Sequence, residues 1–188
     1  TADSPGVRGA LAGGAGRATA AVSAGNTGPR LAASLLPIRR LPGVGRRAIA
    51  GMIPSRRGPT VLIDRAANAD ARPEHLVQFA YMGTVFAQEI LGVERPRACL
   101  LSIGEEPEKG NQLTLEAHEL LRDAEGLDFA GNAEGRDMLR GSIDVFVTDG
   151  FTGNMTLKVL EGAVGELLDA LREEITATPR GKLGGFLI

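Results

Sequence analysis

The chain has 188 residues, 43% of them hydrophobic, which is enough to bury one core and rules out disorder as its main state. Its single cysteine, Cys99, excludes an intramolecular disulfide framework and a cysteine-rich zinc site, so the reducing cytosol is the expected compartment. The net charge of −2 is unevenly spread: up to Ile63 there are nine arginines and one acid, Asp3, whereas from Asp64 onward 22 acids accompany 12 bases. A basic segment of this kind suits an anionic partner. No signal peptide is visible, and the apolar runs fall far short of the roughly 20 residues that a spanning helix needs. The chain starts without methionine and ends on Phe186, Leu187 and Ile188, which reads as a piece of a longer protein.

Short apolar runs alternate with longer helical patterns. After a glycine cluster at 9–16, a strand is expected over 19–23, then Ser23-Ala24-Gly25-Asn26-Thr27-Gly28 and a helix over 29–39. Three arginine pairs follow in an acid-free stretch, Arg39-Arg40, Arg46-Arg47 and Arg56-Arg57. Strands are expected near 48–53 and over 60–64. Residues 73–91 then carry Leu76, Phe79, Ala80, Gly83, Ala87, Ile90 and Leu91 at helical spacing, with Pro73 at the start and Gly92 at the end. A strand over 98–103 completes a βαβ unit. Beyond it come a helix over 111–122, strands near 127–130 and 143–148, and a helix over 154–174 striped by Leu157, Leu160, Val164, Leu167, Leu168 and Leu171. Strands that are apolar throughout are covered on both faces. The expected fold class is therefore α/β, a mostly parallel, doubly wound sheet.

In such a sheet the ligand lies beyond the carboxyl ends of the strands. Those positions are unusually polar here: 23–28; Asp64 to Asn68; Gly104, Glu105 and Glu106 leading to Lys109, Gly110 and Asn111; Gly131 to Asp137; and Asp149 to Asn154. Two of these loops, 23–28 and 149–154, place glycines around Asn and Thr at a helix start, where backbone N–H groups and the helix dipole hold anions. The same residue types also build tight turns and helix caps. Neither GxGxxG nor GxxxxGK[ST] occurs, so no nucleotide is implied. His75 and His118 lack an HExxH-type partner and read as surface or helix-start residues, Cys99 reads as core, and no GxSxG elbow exists. The expected reaction needs no protein nucleophile, metal or cofactor. Scarce aromatics and the lack of a reader motif argue against nucleic acid.

Taken in order, Ser-Ala-Gly-Asn-Thr-Gly at 23–28, Arg-Pro-Glu-His-Leu-Val-Gln-Phe-Ala at 72–80, Gly-Glu-Glu-Pro-Glu-Lys-Gly-Asn at 104–111, Gly-Asn-Ala-Glu-Gly-Arg-Asp at 131–137 and Thr-Asp-Gly-Phe-Thr-Gly-Asn at 148–154 resemble the bacterial phosphate acyltransferase family PlsX. The resemblance implies a Rossmann-like α/β/α sandwich similar to isocitrate and isopropylmalate dehydrogenases. It also implies a homodimer that is cytoplasmic and peripherally membrane-associated. The implied reaction moves a fatty acyl group from acyl carrier protein to inorganic phosphate, giving acyl phosphate for phospholipid synthesis. Such chemistry suits the loops: phosphate is largely a dianion at pH 7, and a thiol of pKa about 8.5 departs readily. Donors and a cation suffice.

The catalytic candidates are Lys109, Asn132 and Asn154. The phosphate- and substrate-binding candidates are Ser23, Gly25, Asn26, Thr27, Gly28, Asp64, Asn68, Glu105, Asn111, Glu134, Arg136 and Asp149, with the carboxylates orienting the donors. Arg39, Arg40, Arg46, Arg47, Arg56 and Arg57 form the expected docking surface for acidic acyl carrier protein. Residues 1–175 are expected to make a partial α/β core, and 176–188 to begin a membrane-facing or dimer-associated region. Ala66 stands where the family has glycine, and Pro29 and Arg30 where it has small or apolar residues. The family's N-terminal Asp-Ala-Met-Gly-Gly-Asp and C-terminal Ala-His-Gly-Ser-Ser segments are missing. An inactive truncated remnant that binds acyl carrier protein or a membrane surface is the alternative reading. A dehydrogenase-like enzyme is a third, disfavoured by the missing dinucleotide fingerprint.

Overall fold

The computed structural model describes residues 42–177 together with Ala12, Ala15 and Gly16. The expected strand over 19–23, the helix over 29–39 and the tail 178–188 lie outside the described residues. Five strands are present among those described: β1 (Gly51–Ile53), β2 (Thr60–Ile63), β3 (Arg97–Leu101), β4 (Asp128–Ala133) and β5 (Val145–Val147). They form one sheet in the order β1-β2-β5-β3-β4. The pairs β2/β5, β5/β3 and β3/β4 are parallel, and β1 is antiparallel to β2. The helices are α1 (Pro73–Leu91), α2 (Gln112–Arg122) and α3 (Gly150–Thr176), with a 3-10 turn at Gly135–Leu139. The α/β class and the mostly parallel sheet are as the sequence predicts.

Buried residues of α1, Leu76, Phe79, Ala80, Gly83 and Ala87, recur at one face of the helix. They join Val61 and Ile63 of β2, Ala98 and Leu100 of β3, and Val145 and Val147 of β5 in one core. The intervening residues Leu62, Cys99 and Phe146 are also buried, so both faces of the three central strands are withdrawn from water. Pro73 opens α1, whose N-terminus is closed by His75 Nδ1 accepting the Arg72 N–H at 3.0 Å. Gly92, at φ 71°, ends it.

Three details differ from the sequence expectation. The strand near 48–53 is only Gly51–Ile53 and runs antiparallel to β2, because the short 54–59 link can form a hairpin but not a parallel crossover. The strand near 127–130 continues through Ala133, after a register shift, with Gly131 at φ 89° supplying the backbone turn. The last helix begins at Gly150 instead of residue 154, so 150–154 form its opening turn.

Contacts divide the chain into two compact units with the boundary between Gly153 and Asn154. The first holds the sheet, α1, α2 and the opening turn of α3; the second holds the rest of α3, whose residues 161–177 are all exposed. Among the described residues, no helix is long and apolar enough to cross a membrane.

Candidate active site

The carboxyl ends of β2, β5, β3 and β4 bring Asp64, Thr148, Ser102 and Glu134 to one edge of the sheet. Asp64 is fully buried. Its Oδ1 accepts the N–H groups of Ile49, Ala66 and Ala67 at 3.1, 3.2 and 3.0 Å. Its Oδ2 accepts both the backbone N–H and the side-chain amide of Asn68 at 2.7 Å. The same Asn68 amide reaches the carbonyl of Arg47. Asp64, expected to orient neighbouring donors, thus holds the Asn68 amide and the backbone N–H groups of the 64–68 loop, and the Asn68 amide nitrogen is taken up within the fold. Ala66 is exposed in that loop.

The start of α3 packs on this loop. The Gly150 N–H donates to the Asn68 carbonyl at 2.8 Å, and a Cβ at Gly150 would lie 2.6 Å from the Asn68 nitrogen. Asp149 caps the helix: Oδ1 accepts from the Phe151 and Thr152 N–H groups, each at 2.9 Å, and Oδ2 from the Thr152 hydroxyl at 2.7 Å. The Gly153 N–H donates to the Asp149 carbonyl at 2.9 Å. The backbone donors that the sequence offers to an anion at 149–154 are therefore taken by the chain itself, because an aspartate at the N-cap satisfies them first. Asn111 plays the same capping part for α2, accepting the Thr114 N–H at 2.9 Å.

The loop after β3 is differently built. Lys109 donates its backbone N–H to the Glu106 carbonyl at 3.0 Å and accepts the Ser102 hydroxyl on its own carbonyl at 2.9 Å. Its stem covers Gly104, where a Cβ would lie 3.0 Å from Lys109 Cγ. The ammonium group has no ion pair with another described residue, and the side chain is exposed. Across the edge, Arg136 joins the two neighbouring strand ends: its Nε lies 2.9 Å from Glu134 Oε2 and its Nη2 4.0 Å from Glu105 Oε1. Glu105, Glu134 and Arg136 are thus brought together, with Lys109 on the same loop as Glu105.

Asn132 departs from expectation. It is buried at the end of β4, its Nδ2 donates to the Glu106 carbonyl at 2.9 Å, and its Oδ1 lies 2.9 Å from His118 Nδ1. Both halves of the amide are engaged inside the fold. His118, read from the sequence as a surface or helix-start residue, is buried on α2 and packs edge-on to Phe129 with ring centroids 5.3 Å apart. Its place between buried Ala117 and Leu121 was the available signal. Asn154 is half-buried in α3 and belongs to the second unit.

The two described arginine pairs do not share one edge of the sheet. The Arg47 carbonyl accepts the Asn68 amide at the carboxyl edge of the sheet, beside Arg46, whereas Arg56 and Arg57 lie in the β1–β2 turn at the opposite edge, where the Arg56 N–H meets the Leu139 carbonyl at 3.1 Å. Antiparallel pairing of β1 sends the two ends of this segment in opposite directions. Arg39, Arg40, Ser23, Gly25, Asn26, Thr27 and Gly28 lie outside the described residues. Among the described residues no cluster of three His, Cys, Asp or Glu side chains could hold a metal ion.

A family model described as fatty acid synthesis protein matches residues 3–188. The chain belongs to this family. It is 49% identical over 169 residues to a phosphate acyltransferase of Pelotomaculum thermopropionicum, a match covering 90% of this chain and 49% of the relative. It is 50% identical over 173 residues to a phosphate acyltransferase of a Synechococcus strain, covering 92% and 48%. The chain thus spans about half the length of the curated relatives it matches. Among solved structures, the EutD phosphotransacetylase from Staphylococcus aureus has a TM-score of 0.62 at 22% identity, covering 85% of this chain and 56% of that one. A phosphotransacetylase from Streptococcus pyogenes gives 0.64 at 20%, covering 84% and 54%. At that identity the likeness speaks for the fold of this family member.

Proposed function

We propose that this protein transfers a fatty acyl group from acyl carrier protein to inorganic phosphate, giving acyl phosphate for phospholipid synthesis. The observation that carries the reading is its membership of a family whose relatives are phosphate acyltransferases, together with two exposed cations, Lys109 and Arg136, at the carboxyl edge of the sheet. A phosphate oxygen attacks the thioester carbonyl, a C–O bond forms, the C–S bond breaks, and the departing thiolate takes a proton from water. Lys109 and Arg136 hold the phosphate charge, while Glu105 and Glu134 orient Arg136. Gly25 to Gly28, with Asn26 and Thr27, are the further phosphate-binding candidates that the sequence motif offers. The reading is tested by free-thiol release from long-chain acyl carrier protein with and without phosphate. Release must require phosphate, and Lys109→Met must reduce it; absent release would favour the inactive remnant, and phosphate-independent release would mean hydrolysis instead of transfer to phosphate.

Acyl carrier protein docks at the carboxyl edge through Arg46, the exposed member of its pair, since the thioester must reach this edge, and Arg39, Arg40 and Arg47 are further docking candidates from the sequence. Arg56 and Arg57, on the far edge, are not needed in this reading. Arg46→Glu should raise the KM for acyl carrier protein at low salt, and Arg56→Glu with Arg57→Glu should leave it unchanged. The protein acts as a cytoplasmic homodimer that associates peripherally with the membrane. The exposed Val164, Leu167, Leu168 and Leu171 of α3 supply an apolar stripe for pairing with a second copy, and residues 176–188 start the membrane-facing or dimer-associated region. Light scattering of wild type against Leu167→Glu, and vesicle flotation, test these two points.

A further inference from the structure

We propose that His118 is a positioning residue that sets the place of Lys109 through Asn132. The Glu106 carbonyl can only accept. It takes two hydrogen bonds, one from the Lys109 N–H at 3.0 Å and one from Asn132 Nδ2 at 2.9 Å. That fixes which end of the Asn132 amide is nitrogen, so Oδ1 is the atom 2.9 Å from His118 Nδ1. An amide oxygen has no proton to give, and His118 must therefore carry hydrogen on Nδ1 and donate it. The imidazole is held in turn by Phe129, packed against it with an interplanar angle of 72°.

The chain of contacts runs from α2 to β4 to the turn that presents Lys109. His118 and Asn132 are both nearly inaccessible, so no water stands ready to replace either bond. Ser102 pins the other side of Lys109 by donating to its carbonyl. With the backbone held at N–H and carbonyl, the first carbons of the lysine stem are laid over Gly104, which sets where the side chain leaves the turn. Without the His118 proton, the Asn132 amide is free to rotate and the Glu106 turn loses one of its two donors. Small displacements of a charge-bearing side chain are costly in a site that works by placement.

This inference rests on the proposed role of Lys109 in holding phosphate. The experiment is a double-mutant cycle in the full-length protein with His118→Phe, which keeps the ring packing, His118→Asn, which keeps a donor near the Nδ1 position, and Lys109→Met. His118→Phe should lower kcat/KM for phosphate between about ten- and a hundredfold while leaving the KM for the acyl donor unchanged, and His118→Asn should recover most of it. In the Lys109→Met background His118→Phe should cause no further loss. If Lys109→Met is harmless, the phosphate-site reading fails and this inference with it. If Lys109→Met is damaging but His118→Phe is harmless or multiplies its effect, the inference alone is overturned. Should His118→Phe not fold, nitrogen-15 NMR of the wild-type imidazole decides: a proton bonded to Nδ1 supports the relay, and a proton on Nε2 with bare Nδ1 overturns it.

Discussion

A Cβ built on Gly83 of α1 would lie 2.5 Å from Cγ1 of Val145 on β5, and 3.0 Å from Cγ2 of Ile63 on β2. The helix sits directly on the two central strands at this point, closer than any side chain permits. Alanine is the better helix former by about 1 kcal/mol, yet Gly83→Ala should destabilise the protein by about 1–3 kcal/mol, because overpacking outweighs propensity. Urea unfolding measures this. Combined with Val145→Ala, which opens space at the contact, the double variant should be less destabilised than the sum of its parts. A neutral or stabilising Gly83→Ala would show that α1 stands off the sheet.

Asp64 is the anchor of the loop below that helix face. Replacing it with asparagine turns one acceptor oxygen into a donor that faces the N–H groups of Ile49, Ala66, Ala67 and Asn68, whichever way the amide is turned. Hydrogen bonds to a charged acceptor are the strong kind and all of these close within the fold. Asp64→Asn should cost about 2–4 kcal/mol. Asp149→Ala, which removes only a helix cap, should cost about 1 kcal/mol. Equal losses at the two sites would contradict the distinction.

Much of this arrangement is legible in the sequence, and the reasons are local. The periodicity from Leu76 to Ala87 and the bracketing Pro73 and Gly92 fix α1, since burial and capping act within a few residues. The apolar runs Val61–Ile63 and Val145–Val147 read correctly as covered strands. What sequence does not reveal is how polar side chains choose partners. Asp, Asn and Gly at strand ends suit an anion, a cap or a tight turn equally well, and only the three-dimensional contacts show Asp149 and Asn111 closing helices while Arg136 bridges Glu134 and Glu105. Likewise, the direction of β1 depends on a hairpin link, and it alone separates Arg46 from Arg56 across the sheet.

Cys99 lies in the middle of β3, buried to 1% exposure. Burial pushes its thiol up to about 12, with Asp137 and Asp128 adding to the rise and Arg97 opposing it. The thiolate is the reactive form, so the native protein should resist alkylation by iodoacetamide at pH 7–8. Mass spectrometry should find Cys99 unlabelled until denaturant is added, then labelled quickly. Rapid labelling of the native protein would show that β3 is not covered on both faces. Cys99→Ala should retain phosphate-dependent activity, because no step proposed here uses the thiol.

His75 supplies a pH dependence whose sign follows from its contacts. Its Nδ1 accepts the Arg72 N–H at 3.0 Å and must be unprotonated to do so. Burial, then the charges of Arg46 and Arg72, lower its pKa from the ordinary 6.5, against a smaller opposing effect of Glu74. The unfolded chain therefore takes up the proton first as pH falls. The stability contributed by His75 is whole above about pH 6.5, declines as pH drops from there towards the lowered folded value, and changes no further once both states are protonated. His75→Gln keeps a side chain suited to this position of the capping box and removes the titration. Its unfolding free energy should match the wild type at pH 8 and fall less steeply below pH 6.5. Parallel pH profiles for the two proteins would mean that the imidazole does not close the N-terminus of α1.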